Sequence, residues 1–430
     1  MNGAEKGKAT GLKLGSAKID ITPEEPIPLC GFASRKHDGY FKEVRQRLYA
    51  RILFLCSRDE DGSERTAVIV SADLVWWGSD RMPAVKARLL NEWGIEPSAV
   101  LFHGTHTHCG PQTSGLFVPS LGEMDAKYME MLENRILEGV AQAAANVEAV
   151  IAERGEGSCG IGVNRRSIVE GQVRMTPNEE GPADPAVTVI RFSRPGGSAK
   201  AVMVHYTCHP TTTADNAVSS EFPGIAMEEV ERELGGDAVS LYLQGFCGDV
   251  GPIADTDMHR MASALSGEVM QVLRHKMSLA QPAEWSSAIG TAELPLQPLP
   301  EERELAERTG ETDVFGEWSR LLLAHPEYLK PSLTLEGTLI TIADGISLLA
   351  MNAEMVIEYG LYIKRQSGGK VLPVAYSNGM IGYVTTAEQL SQGGYEPYDS
   401  TFYFAMPAPL DVSAEARVTE LIDALLHIRR

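Results

Sequence analysis

A stretch from Val100 to Pro111 carries three histidines directly after an apolar run: Val-Leu-Phe-His-Gly-Thr-His-Thr-His-Cys-Gly-Pro. The chain has only 10 histidines among 430 residues, so this clustering is unusual. Side chains two residues apart in a strand point to the same face, which predicts that His106 and His108 project into one site. Neutral imidazole is the commonest protein ligand for transition metals. The stretch therefore indicates a metal site, with a polar loop rich in histidine as the alternative.

A second histidine segment reads His205-Tyr-Thr-Cys-His209-Pro210. A residue before proline is disfavoured in a helix, so His209 is expected in an extended or turn conformation at the end of a strand. We predict a metal or catalytic role for His209. His205 lies inside the apolar run, which favours a buried structural role.

Glu354 is a candidate for the third ligand, because a catalytic zinc site uses three protein ligands and keeps one position open. It follows the apolar run from Ser347 to Met351. A carboxylate there is costly unless it is paired or binds a metal. The alternative is a solvated glutamate at the end of a strand.

The Gly-rich segment Gln244–Pro252 forms a turn after a further apolar run. Glycines let the backbone approach a ligand closely, so we predict that Gly248 and Asp249 bind substrate. The segment lacks the GK[ST] ending of a phosphate loop. Asp249 would either orient a histidine or cap the turn, and the sequence does not decide between these roles.

Composition excludes several classes of protein. The balance of 58 acidic and 38 basic residues gives a net charge of −20, which argues against a nucleic-acid partner. No apolar segment reaches the roughly 18 residues that a transmembrane helix needs. The first residues lack the apolar core of a secretory signal, and the cysteines are single, which is typical of reduced thiols. We therefore expect a cytoplasmic enzyme with a small-molecule substrate, its oligomeric state left open.

Alternating buried strands and helices in the first 280 residues predict an α/β class with mixed α+β features, in which a layered β-sheet core has flanking helices. In such folds ligands bind outside the carboxyl ends of the strands. Four apolar runs end in polar residues suited to a site, namely 100–102, 202–204, 241–243 and 348–351. We expect a disordered lead at 1–12 and a single catalytic domain at 13–430, with a sub-boundary near the Pro-rich 295–300.

Further motifs occur in a fixed order along the chain. Together with Thr105–Pro111 they are Gly15–Thr22, Arg47–Arg51, Ser71–Asp73, Val163–Arg166, His209–Thr211, Gly248–Val250, Asn352–Glu354, Ser377–Asn378, Tyr383–Thr386 and Tyr395–Glu396. In type and order they resemble the neutral, non-lysosomal ceramidases, across residues 13–410. Each motif alone is weak, but their number and order make the resemblance specific.

The resemblance implies an amidohydrolase with one zinc ion per chain. It places the metal ligands at His106, His209, Glu354 and Tyr383. It also places a proton-transferring histidine at His108 and donors to the reacting oxygen at Arg165 and Tyr395. Such a site would use metal-activated water to cleave the amide bond of an N-acyl amine.

The chain departs from the family pattern in ways that concern the substrate. A serine that follows Gly-Asp-Val in the family is Gly251 here, and the serine of its His-Thr-His-Ser motif is Cys109. The family's C-terminal β-sandwich domain and export signal are not expected. Ceramide is therefore not assured as the substrate, and esters, lactones or sugar-derived amides stay open.

Three other interpretations compete with a ceramidase-like enzyme. A TIM-barrel amidohydrolase also begins its metal site with His-x-His, but the β-rich stretch 337–376 does not follow a βα rhythm. A cysteine hydrolase would use Cys109 beside His108. A binding protein that keeps a structural metal without catalysis is the non-enzymatic alternative.

Overall fold

The structure is a computed structural model that describes residues 11–37, 39–58 and 64–428. Its strands, numbered in chain order, are β1 Lys13–Asp20, β2 Tyr49–Arg58, β3 Glu64–Ala72, β4 Val100–Gly104, β5 Glu148–Ala149, β6 Ile151–Ser158, β7 Gly162–Val169, β8 Gln172–Asn178, β9 Ala186–Ser193, β10 Ala199–Tyr206, β11 Val239–Gln244, β12 Val250–Pro252, β13 Ser278–Leu279, β14 Ser286–Pro295, β15 Ser332–Ala343, β16 Ile346–Met351, β17 Glu354–Met355, β18 Val371–Val374 and β19 Tyr383–Val384.

The helices are α1 Met82–Trp93, α2 Ala126–Ala145, α3 Glu221–Leu234, α4 Met258–His275, α5 Glu302–Arg308, α6 Val314–Ala324, α7 Ile357–Ser367, α8 Ala387–Gln392, α9 Ser400–Tyr403 and α10 Ala414–Ile428. A π-helical turn spans Tyr395–Asp399. The ends of α1 and α2 follow ordinary capping chemistry. Gly94 ends α1 in the left-handed conformation at φ 65°, and the Asp125 carboxylate accepts a hydrogen bond from Tyr128 N at the start of α2.

The core consists of two five-stranded sheets packed face to face, with helices outside both. One sheet has the order β4-β3-β2-β1-β5 and the other β11-β10-β9-β6-β13. Ile190 and Met203 of the second sheet belong to the core between the sheets. Val189 and Val204, one residue away on the same strands, pack with α3 and α4 instead. This alternation follows from the two-residue period of a strand.

Among the described residues, a three-stranded sheet of order β12-β7-β8 and the pair β17-β19 accompany a four-stranded sheet of order β14-β15-β16-β18. Helix α10 covers the four-stranded sheet through Leu421 and Leu425, which lie against Gly290. The Pro-rich segment after β14 is tied to the C-terminal part of the chain, since Gln297 N donates to Pro409 O at 2.9 Å. Burying each large aliphatic side chain contributes about 1.5–3 kcal/mol to the stability of the fold. These cores therefore hold the strands, and the loops that follow them, in fixed positions.

Parallel pairing brings the carboxyl ends of several strands to one edge of the fold. The parallel pairs are β3 with β4, β10 with β11, β16 with β18 and β17 with β19. The loops after these strands carry the residues that the sequence singles out. The prediction of a layered sheet core with flanking helices is therefore confirmed, including the convergence of the four apolar runs.

Two further findings concern the chain as a whole. The predicted lead at 1–12 lies outside the described residues except for its last two, of which Leu12 is buried. Within the described ranges, no helix combines the length and the apolar character that crossing a membrane requires.

Candidate metal centre

Three histidine side chains meet at the edge where the parallel strands end. His106 Nε2 lies 2.8 Å from His209 Nε2 and 3.1 Å from His108 Nε2. His106 and His209 are fully buried, whereas His108 is partly exposed at the rim. We call these three residues the histidine wall. Among the described residues they are the group whose ligand atoms converge closely enough to hold a metal ion.

Main-chain carbonyl oxygens orient all three rings. A carbonyl can only accept a hydrogen bond, so each ring must carry its proton on Nδ1. The Nδ1 acceptors are Val75 O at 2.9 Å for His106, Gly31 O at 3.0 Å for His108 and Cys247 O at 2.7 Å for His209. Each Nε2 therefore presents a lone pair to the same point. Burial lowers the pKa of all three imidazoles well below the ordinary value, which keeps them in the neutral form that binds metals.

The spacing of these nitrogen atoms fits a bound cation. Lone pairs at 2.8 Å repel each other unless a positive charge lies between them. Tetrahedral zinc with bonds of about 2.0–2.1 Å to nitrogen separates its ligands by about 3.3 Å. The nitrogen separations of 2.8 and 3.1 Å are a few tenths of an ångström shorter than that value.

Glu354 adds a carboxylate to the histidine pair. Its Oε2 lies 3.5 Å from Nε2 of both His106 and His209. This oxygen is buried and has no hydrogen-bond partner among the described residues. Burial raises the pKa of Glu354 to about 8, against the opposing effects of the Tyr383 hydroxyl and the Arg165 guanidinium. An orphaned buried oxygen beside two imidazole lone pairs is the donor set that a divalent metal requires.

Tyr383 reaches the same site because β17 and β19 pair in parallel, with Glu354 opposite Tyr383. The Tyr383 hydroxyl accepts a hydrogen bond of 2.9 Å from Arg165 Nη2. Arg165 Nε in turn donates to Glu396 Oε1 at 3.0 Å. We call Arg165, Glu354, Tyr383 and Glu396 the charged wall.

The remaining predicted site residues lie around this centre. The Tyr395 ring contacts the Tyr383 ring edge-on, with 5.7 Å between centroids. Gly248 packs against the backbone of β17, and its N–H donates to Met355 O at 2.9 Å. The Asp249 carboxylate accepts from Ile357 N at 2.8 Å and from Gln389 at 2.9 Å. Asp249 therefore caps α7, and the substrate-binding role of Gly248 and Asp249 stays a prediction.

Sequence reasoning assigned no role to two residues that the structure places at the centre. The Tyr376 ring stacks on His106 at 3.7 Å between centroids. Gly31, at φ 106°, lies so close to His108 that an added Cβ would be 2.7 Å from the ring. Tyr376 had a weak signal, because it ends the apolar run 371–376. Gly31 acts through its carbonyl oxygen, which side-chain types do not reveal.

His205 has a structural role, as predicted, and so does His103. His103 Nδ1 donates to Ala375 O at 2.9 Å, and its Nε2 accepts from Gln244 N at 2.9 Å. These bonds tie the end of β4 to the ends of β11 and β18. His205 is fully buried, with its Nε2 2.7 Å from Pro373 O.

The chain was compared with known protein families. The model of the neutral/alkaline non-lysosomal ceramidases, N-terminal part, matches residues 12–264, which is more than half of the chain. The chain belongs to this family. The predicted resemblance is therefore confirmed. The ceramidase match ends before Glu354 and Tyr383, so it covers the histidine wall and Arg165 but only part of the charged wall.

Individual relatives of this ceramidase-family chain extend the comparison. A neutral ceramidase from Mycobacterium tuberculosis is 27% identical over 265 residues, covering 57% of this chain and 41% of that protein. The chain thus spans less than half the length of this curated relative. The crystal structure of neutral ceramidase from Pseudomonas aeruginosa matches with a TM-score of 0.76 at 18% identity, covering 98% of this chain and 75% of the other. A ceramidase complexed with C2 matches at a TM-score of 0.74 with the same identity and coverage. At this identity, the structural matches establish the fold alone.

Proposed function

We propose that this chain is a zinc-dependent hydrolase that cleaves the amide bond of an N-acyl amine. The observation that carries the proposal is the convergence of three imidazole lone pairs and one orphaned carboxylate oxygen on a single buried point. Membership of the ceramidase family supports amide hydrolysis as the reaction. One zinc ion per chain and a cytoplasmic location complete the proposal, and the six free, buried cysteines agree with a reducing compartment.

His106, His209, Glu354 and Tyr383 would hold the metal. Histidine nitrogen with carboxylate and phenol oxygen suits zinc and also iron or manganese, so the ion must be measured. When bound, such a metal polarises the amide carbonyl and lowers the pKa of water at its open position.

His108 is suited to move the proton between water and the leaving amine. Its Nδ1 is occupied by Gly31 O at 3.0 Å, so Nε2 is the atom that accepts and delivers the proton. The position at the rim gives Nε2 access to both the buried centre and an incoming substrate. A transfer of this kind contributes about 10²–10⁴-fold to the rate.

Arg165 and Tyr395 are suited to stabilise the negative charge that develops on the carbonyl oxygen. Arg165 is held by Glu396 and donates to the Tyr383 hydroxyl, which directs its charge toward the metal ligands. A donor pre-positioned in this way contributes about 2.7–4 kcal/mol.

Half-buried aromatic rings beside both walls favour an apolar acyl group. The Phe32 ring lies 4.9 Å from the His108 ring. On the other side, the Tyr395 ring lies 6.3 Å from that of Tyr403. These surfaces would bury an acyl chain, while the amine would leave past His108.

The test combines metal analysis with a substrate panel. We expect one zinc ion per chain by elemental analysis. We expect hydrolysis within a panel of N-acyl sphingosine, N-acyl ethanolamine, N-acyl amino acids and N-acetylated amino sugars. A chelator should abolish the activity, and added zinc should restore it. His259→Ala, which removes an exposed histidine of α4, serves as the control and should match the parent.

Three results would contradict the proposal. Full turnover by metal-free protein would exclude metal catalysis, and iodoacetamide sensitivity in its place would favour Cys109 chemistry. Cleavage of esters or lactones with no cleavage of amides would change the reaction. A zinc-loaded protein that is inert toward the whole panel would support a binding protein.

A further inference from the structure

Glu396 lies between two arginine side chains beside the metal centre. It follows Tyr395 in the π-helical turn and is only 3% exposed. Its Oε1 accepts from Arg165 Nε at 3.0 Å, and its Oε2 accepts from Arg166 Nη1 at 2.5 Å. Burial alone would raise the pKa of Glu396, but the two guanidinium groups hold it below the ordinary value. The group is therefore a carboxylate shared by two cations.

A local irregularity of β7 allows adjacent arginines to share one carboxylate. Neighbouring residues of a regular strand point to opposite faces. The register of β7 against β8 shifts between Asn164 and Arg166, which is a bulge at Arg165. The Asn164 side chain stabilises the bulge by accepting from Arg166 N at 2.9 Å. Bulges of this kind re-aim side chains next to active sites.

Beyond Glu396, the two arginines make different contacts. Arg166 runs outward and donates to Gly393 O at 2.8 Å. Arg165 runs inward and donates from Nη2 to the Tyr383 hydroxyl at 2.9 Å. The bond from Arg165 Nε to Glu396 fixes the plane of the guanidinium, because Nε and Nη2 belong to one rigid fork. Glu396 thus sets the direction in which Arg165 presents its charge.

Glu396 also gives Arg165 a counter-ion other than the proposed metal ligand Glu354. A guanidinium that is 9% exposed needs a counter-ion. Arg165 contacts Tyr383, and Glu354 is the residue opposite Tyr383 in the β17–β19 pair. Without Glu396, the positive charge of Arg165 would be balanced by Glu354, in competition with a metal cation.

We propose that Glu396 is a positioning residue that aims Arg165 at the reacting oxygen and keeps Arg165 from pairing with Glu354. This inference rests on the proposed function, because it names the residue that orders the charged wall of that site. It assigns Glu396 no contact with substrate.

The test uses Glu396→Gln, which keeps the side-chain size and removes the charge. We expect kcat to fall about 10–100-fold with little change in KM, because the interaction of Arg165 develops in the transition state. In metal-free protein titrated against a fluorescent zinc chelator, we expect zinc affinity to fall about 10-fold. Adding Arg165→Met to Glu396→Gln should restore zinc affinity, since the freed positive charge is then gone.

A double-mutant cycle and a matched control separate positioning from general support. Arg165→Met alone and Arg165→Met with Glu396→Gln should show the same kcat, because Glu396 acts through Arg165. Arg166→Met removes the other partner of Glu396 and should leave kcat and zinc affinity near the parent values. If Glu396→Gln does not fold, as judged by circular dichroism, Glu396→Asp keeps the charge and should give an intermediate kcat.

Several outcomes would overturn the inference. These are an unchanged kcat and zinc affinity in Glu396→Gln, losses that multiply in the double variant, or an Arg166→Met loss as large as that of Glu396→Gln. If the parent hydrolyses nothing, the proposed function fails. The zinc titration still decides the role of Glu396, because restored affinity in the double variant does not depend on turnover.

Discussion

The two walls of the centre are held in place by different means. In the histidine wall, each ring is fixed by a main-chain carbonyl oxygen. In the charged wall, Arg165, Tyr383 and Glu396 are fixed by one another's side chains. A side-chain substitution does not remove a main-chain carbonyl oxygen. The histidine wall should therefore respond to substitution of the histidines themselves and to substitutions that shift the backbone. In the charged wall, replacing one residue should displace the side chains that are hydrogen-bonded to it.

The largest expected effect comes from removing a ligand of the histidine wall. His106→Ala should lose bound zinc and reduce kcat/KM about 10³-fold or more, which corresponds to a loss of several kcal/mol of transition-state stabilisation. The fold should persist, because an imidazole at a strand end is lost without opening the main core. Elemental analysis and circular dichroism check both statements. Full zinc occupancy in this variant would remove His106 from the ligand set.

His108→Ala tests whether the rim histidine is a proton carrier or a third nitrogen ligand. We expect zinc to be retained and kcat to fall about 10²–10⁴-fold, as for the loss of a general acid–base group. Zinc content and steady-state kinetics together give the answer. Zinc lost along with the activity would make His108 a ligand, and unchanged turnover would exclude it from the mechanism.

Gly31→Ala tests the dependence of the histidine wall on backbone geometry. The added Cβ would lie 2.7 Å from His108 Cγ and Nδ1. The ring must therefore move away and lose its hydrogen bond to Gly31 O. We expect kcat to fall about 10–100-fold with zinc retained, as for the loss of a partner that orients a functional side chain. Gly39→Ala is the matched control, because Gly39 also has a positive φ, 65°, but has no atom near its Cβ position. Equal losses in the two variants would show that backbone strain, and not His108, is responsible.

The difference between the walls also explains what the sequence could predict. Apolar runs that end in polar residues predicted the strands and the convergence of their carboxyl ends, because residue type is visible in the sequence. The strand period expected for His106 and His108 is wrong, since both follow the end of β4 at Gly104 and His106 has a φ of 70°. Tyr383 came only from the family resemblance, since its place depends on a two-residue pairing with Glu354 across the fold. Arg165 likewise came only from the resemblance, because its direction depends on a bulge in a strand whose exposed end carries Ile168 and Val169. Such an exposed apolar end gives no clear core pattern.

The smallest expected effect tests how tightly the charged wall is packed. Gly251→Ser restores the residue type that the family resemblance places after Gly-Asp-Val. A Cβ at Gly251 would lie 3.7 Å from Arg165 Cδ, which is ordinary van der Waals contact. Arg165 is held at Nε and Nη2 rather than along its stem. We therefore expect kcat, KM and zinc content to stay close to the parent values, measured on the best substrate of the panel. A pre-steady-state burst of released amine in Gly251→Ser, absent from the parent, would show that the introduced serine forms an acyl-enzyme and would contradict the expectation of unchanged kinetics. A large fall in kcat without a burst would show that the Arg165 stem has no room, and that the charged wall depends on packing as well as on its charges.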